Sequence, residues 1–106
     1  VVALTDADIR RLALALPQAV EADHHGSPSF RVGRKIFCTV GLIPGKMMVK
    51  LDPEDQHNLC AGHSEAISPV PGSWGLKGAT HVDLAQVDEA LAAMLLRLAW
   101  THVAPA

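Results

Sequence analysis

Residues 30–51 read FRVGRKIFCTVGLIPGKMMVKL, three short β-branched or apolar runs separated by glycine-bearing turns. That pattern predicts a meander with strands over Phe30–Val32, Lys35–Leu42 and Lys46–Leu51, and turns at Gly33-Arg34 and Pro44-Gly45. Side chains on a strand alternate between faces. Strict alternation places Phe30, Val32, Ile36, Cys38, Val40, Leu42, Met47, Val49 and Leu51 on an apolar face. Arg31, Lys35, Phe37, Thr39, Lys46, Met48 and Lys50 fall on the other. Between His24 and Leu51 the chain carries five of its nine Lys and Arg residues and none of its eleven acids. One face of the sheet is therefore expected to be basic.

Helices flank the meander. Thr5 with Asp8 three residues on has the form of a capping box, followed by Ile9, Leu12, Ala13 and Leu16 at helical spacing, with Pro17 as the stop. Residues 18–29, with Gly26 and Pro28, read as a connection. Asp52-Pro53-Glu54-Asp55 is a helix start: an N-cap acid, proline at the first helical position, and acids near the positive end of the dipole. Leu59 and Cys60 are expected inward on that helix, and Gly62 at its end. Brief strands are expected near Ile67–Val70 and Thr80–Asp83, then a last helix capped by Asp83 with Leu84, Val87, Leu91, Met94, Leu95 and Leu98 as its apolar stripe. This order gives an α+β fold, a two-layer sandwich of antiparallel sheet with helices on one face and the basic set on the wet face. Its expected core is Leu12, Leu16, Phe30, Val32, Ile36, Cys38, Val40, Val49, Leu51, Leu59, Val82, Leu91, Leu95 and Leu98.

A chain of 106 residues has the size of one domain, read here as residues 1–106. Its apolar fraction of 49% and charged fraction of 19% fit a folded globular protein. A net charge of −2 excludes nucleic-acid binding by bulk electrostatics and leaves only a local patch for it. Cys38 and Cys60, without a signal peptide, are expected as reduced thiols in a cytoplasmic protein. The longest apolar stretch, Ala90 to Ala99, contains Arg97 and is too short to span a bilayer, so no membrane association is expected.

Motifs for chemistry are weak. His57, Cys60 and His63 spell H-x2-C-x2-H; residues three apart share a helix face, but the position six on lies about 120° away from the first, and a fourth ligand is missing, so no metal is expected. His24-His25 near Glu21 and Asp23 lacks a nucleophile in a recognisable setting, and no enzyme or cofactor is expected. Gly72, Gly75 and Gly78 around Trp74 do not match a phosphate-binding fingerprint and read as a flexible hairpin with Lys77 at its tip.

FRVGRKIF at 30–37, VKLDPEDQ at 49–56, PGSWG at 71–75, the pair Val82 and Leu84, and AW at 99–100 resemble the MmcQ/YjbR family of small bacterial proteins from Leu12 to Ala104. The resemblance implies a frataxin-like (CyaY-like) sandwich and a DNA-binding "double wing" protein, with no catalytic residue to transfer. Many members have a tryptophan just before the position of Thr80, where this chain has Ala79. Together with the basic face, this implies weak, largely sequence-nonspecific DNA binding through Arg31, Arg34, Lys35, Lys46, Lys50 and Lys77. The alternatives are a non-catalytic module for an unknown protein partner, and a solvated face whose lysines prevent edge pairing.

Overall fold

The computed structural model describes residues 3–24 and 26–105. The chain runs α1 (Asp6–Leu14), β1 (Val20–His24), β2 (Ser27–Val32), β3 (Lys35–Val40), β4 (Lys46–Lys50), α2 (Pro53–Gly62), β5 (Ile67–Pro69), α3 (Ser73–Leu76), β6 (Ala79–Asp83) and α4 (Glu89–Val103). The six strands form one antiparallel sheet in the order β1-β2-β3-β4-β6-β5. Helix α4 packs across β3 and β4, and α1 lies beside it against β2 and β3. The result is an α+β sandwich with one sheet face largely uncovered.

Local chemistry builds these elements as expected at several points. Thr5 and Asp8 close the capping box of α1, the Asp8 amide donating to Thr5 Oγ1 at 3.1 Å and the Thr5 amide to Asp8 Oδ2 at 2.9 Å. The same bonds hold the Asp8 carboxyl below its usual pKa. Asp52 caps α2 by accepting from the Glu54 amide at 3.1 Å, with Pro53 in the first turn. Gly33 and Arg34 both adopt positive φ, 57° and 71°, the conformation of a two-residue type I′ hairpin turn.

Four expectations need correction. Residues 18–29 are not a mere connection: Val20–His24 forms β1 at the sheet edge, and β2 begins at Ser27. Glu21, Asp23, Gly26 and Pro28 obscure the strand signal there. β1 is specified by its partner β2, with Val20 opposite Arg31 and His24 opposite Ser27. Helix α4 starts at Glu89 with Asp88 as cap, whereas Asp83 caps only a turn by accepting from the Ala85 amide at 3.0 Å. The buried stripe of α4 is consequently Ala92, Leu95, Leu96 and Ala99, leaving Met94 exposed. The segment around Trp74 is a helical turn tightly packed at its base: a Cβ on Gly75 would collide with the Val70 carbonyl, and one on Gly78 with that of Leu51.

The fourth correction concerns the meander itself. The β2–β3 register shifts, with Phe30 opposite Cys38 but Arg31 opposite Ile36, so Phe37 is an extra residue on β3. Such a bulge breaks alternation. Phe37 and Cys38 both enter the core at 0% exposure, and Ile36 moves to the open face beside Arg31. Lys35, opposite the buried Val32, is displaced from the face of Arg31 and stands exposed at the strand end. Leu42 lies beyond the end of β3 in an exposed turn. The expected Phe30, Val32, Cys38, Val40, Val49, Leu51, Val82 and Leu95 are buried, joined by Ile9, Phe37, Met47, Ile67, Leu84 and Leu96. Leu12, Leu16, Leu59, Leu91 and Leu98 pack around them, partly exposed.

Candidate nucleic-acid interface

The open face is built mainly from the outward positions of five strands. Cross-strand register aligns Ala22 with Ser29, Ser29 with Thr39, Thr39 with Met48, and Met48 with His81. On β4, Lys46 and Lys50 flank Met48, their Cα atoms about 13 Å apart at the ordinary strand rise. Arg31 projects from β2, its Nε donating to Ser29 Oγ at 3.1 Å and its Nη2 to the Asp23 carbonyl at 3.3 Å. These contacts anchor the guanidinium without neutralising it. Among the described residues, the ion pairs join Arg10 to Glu21 and Arg11 to Asp8 and Glu89, so none involves Arg31, Arg34, Lys35, Lys46, Lys50 or Lys77.

The structure thus gathers Arg31, Lys46 and Lys50 on one face. Arg34 sits in the β2–β3 turn, Lys35 at the adjoining strand end, and Lys77 just past α3. Glu21 is turned to Arg10 at 2.6 Å, and Asp23 accepts from the Gly26 amide at 3.3 Å. Phe37, expected as apolar surface between the charges, is in the core instead. His25 lies outside the described residues. His57 and His63 are exposed and Cys60 is half-buried, and no group of three His, Cys, Asp or Glu side chains among the described residues is placed to hold a metal.

A cleft of about 440 Å³ opens in the same face, and no motif in the sequence announced it. Ile36, Met48, Thr39 and His81 line its sheet side, Leu42 and Ile43 come from the β3–β4 turn, and Val70, Trp74 and Ala79 from the opposite end. Lys46, Met47, Lys50 and His24 complete the lining, which includes no carboxylate among the described residues. Trp74 is 64% exposed and Leu76 82%. Burial, and then the neighbouring Lys46 charge, hold His81 below the ordinary imidazole pKa.

The cleft's α3–β6 wall is fixed by a residue that sequence pattern did not single out. Gln56 of α2 is buried, and its Nε2 lies 2.9 Å from the Gly75 carbonyl, 3.0 Å from the Ala79 carbonyl and 3.1 Å from Thr80 Oγ1. Thr80 Oγ1 in turn donates to the Gly78 carbonyl at 2.9 Å. A polar residue on a short helix resembles any solvated side chain until its acceptors are known.

Comparison with solved structures finds the crystal structure of Deinococcus radiodurans protein DR2400, of domain family DUF419, at a TM-score of 0.78 and 25% identity, covering 93% of this chain and 78% of that one. No curated protein matches. No helix among the described residues is long and apolar enough to cross a membrane. The YjbR family model matches residues 14–102, which takes in nine of the ten structural elements from β1 onward, and the chain belongs to the YjbR family.

Proposed function

We propose that this protein is a non-catalytic, cytoplasmic binding module that works without a cofactor and holds DNA weakly, with little sequence preference, along its open sheet face. The observation that carries this reading is the convergence of Arg31, Lys46 and Lys50 on one face, none of the three joining an ion pair among the described residues. Arg34 and Lys77 extend the positive region from adjoining turns. A concave face with an exposed tryptophan favours a single strand, whose bases present stacking surfaces that a duplex conceals. Phosphate contacts of this kind position a strand without reading its bases.

The test is fluorescence anisotropy of a labelled single-stranded oligonucleotide titrated at low and rising salt. Binding through three or four phosphates should weaken with a log–log salt slope of about −2 to −3. Changing Lys46 and Lys50 together to Glu should abolish binding while shifting stability by only about 0.5 kcal/mol. Absence of binding by the wild-type protein to single- or double-stranded DNA at low ionic strength overturns the reading. The exposed Trp74 and Leu76 favour a second reading, a protein-interaction module, whose association would be nearly indifferent to salt.

A further inference from the structure

The cleft is more enclosed and more apolar than contacts to a phosphate backbone require. Its volume of about 440 Å³ falls in the range of small-molecule sites. Its two ends are lined differently, though each holds a lysine. At one end, Lys46 lies on the same sheet face as His81, close enough for its charge to bear on the imidazole. At the other, Lys50 pairs with Ala79, and Val70 and Trp74 form an apolar wall. Met48 and Ile36 lie between. Among the described residues, the carboxylate opposite this patch is that of Asp83, which pairs with Lys46 by strand register and is not part of the lining. Within the lining, a cationic guest would meet two ammonium groups and no carboxylate. A neutral guest would use only the apolar surface.

We infer that the cleft is a binding site for a small aromatic carboxylate. The carboxylate lies at the Lys46–His81 end and the ring extends over Met48 and Ile36 toward Trp74. Charge complementarity selects the anion, and burial of the ring supplies the attraction. This goes beyond the nucleic-acid reading and does not rest on it, since the oligonucleotide titration above decides that reading separately.

The chain contains two tryptophans, which provide a built-in control. Trp74 lines the cleft, whereas the Trp100 indole donates to the Pro17 carbonyl at 2.9 Å, joining α4 to the segment after α1. Two-dimensional NMR of the indole N–H groups, assigned with Trp74→Phe, is followed while naphthoate, naphthylmethanol and naphthylmethylamine are titrated in turn. The expected result is a saturable shift of the Trp74 signal with a still Trp100 signal, and naphthoate bound at least about 10-fold more tightly than the amine. Lys46→Gln should remove most of that preference and leave naphthylmethanol affinity unchanged. Equal affinity for all three probes, equal movement of both indoles, or no saturable shift with naphthoate overturns the inference.

Discussion

On the helix-covered side of the sheet, Phe30, Phe37, Cys38 and Val49 reach 0% exposure beneath α1 and α4, while on the open side Arg31, Ile36, Met48 and His81 remain half-buried with no helix over them. The two faces alternate along the same strands, so composition alone does not decide which residue faces which way. On the covered face apolar side chains fill space against helices. On the open face no helix fills the space, and Ile36, Met48 and the stems of Lys46 and Lys50 border a cleft with charges at its margins. A single inserted residue at the β3 bulge sets which of two neighbours belongs to each face.

The sharpest way to break that comparison is to truncate both neighbours. Phe37→Ala should cost about 3–5 kcal/mol, as expected for emptying a fully buried aromatic site. Ile36→Ala should cost only about 1 kcal/mol and mainly weaken binding of a probe in the cleft. Chemical denaturation of the two variants checks this, and a larger loss for Ile36 would mean that the bulge is misplaced.

Next in size is the wall of the cleft. Gly78 has φ of +108° and its carbonyl accepts from the Leu51 amide at 2.9 Å, so Gly78→Ala should destabilise the fold by roughly 3 kcal/mol. Gln56→Ala removes the buried amide that ties α2 to the Gly75 and Ala79 carbonyls, each of which keeps a backbone donor in Gly78 or Val70, and should cost about 1 kcal/mol. Equilibrium unfolding measures both, and a neutral Gln56→Ala would show that the wall is held by packing alone.

The smallest expected effect is a pH dependence from His81. Its surroundings are cationic or neutral on most sides: Lys46 and Lys50 on β4, His24 across the cleft, Ser68 on β5, with Asp83 two residues along its own strand. Because its folded pKa is lowered, the unfolded chain binds the proton more readily. Its contribution is therefore intact above the ordinary imidazole value of about 6.5 and declines as pH falls through that value toward the folded pKa. Melting temperatures followed across that interval should fall less in His81→Gln than in the wild type. Identical slopes would remove His81 as the cause.

The sequence by itself determined the elements whose rules are local. The capping box at Thr5–Asp8, the Asp52-Pro53 helix start and the Gly33-Arg34 turn involve groups at most a few residues apart, and each appears in the structure where the residues place it. The outward positions of Arg31, Lys46 and Lys50 were legible for the same reason: each lies on a stretch of unbroken alternation. Only the tertiary structure decided the edge strand β1, the faces of Lys35, Ile36 and Phe37, and the cleft. An edge strand rich in polar residues exists because a neighbour supplies its hydrogen bonds, and a bulge is a mismatch between two strands that neither encodes alone. The cleft joins His24, residues 36–50 and residues 70–81, and Gln56 reaches 19 to 24 residues ahead to brace it, so no short-range pattern could reveal either.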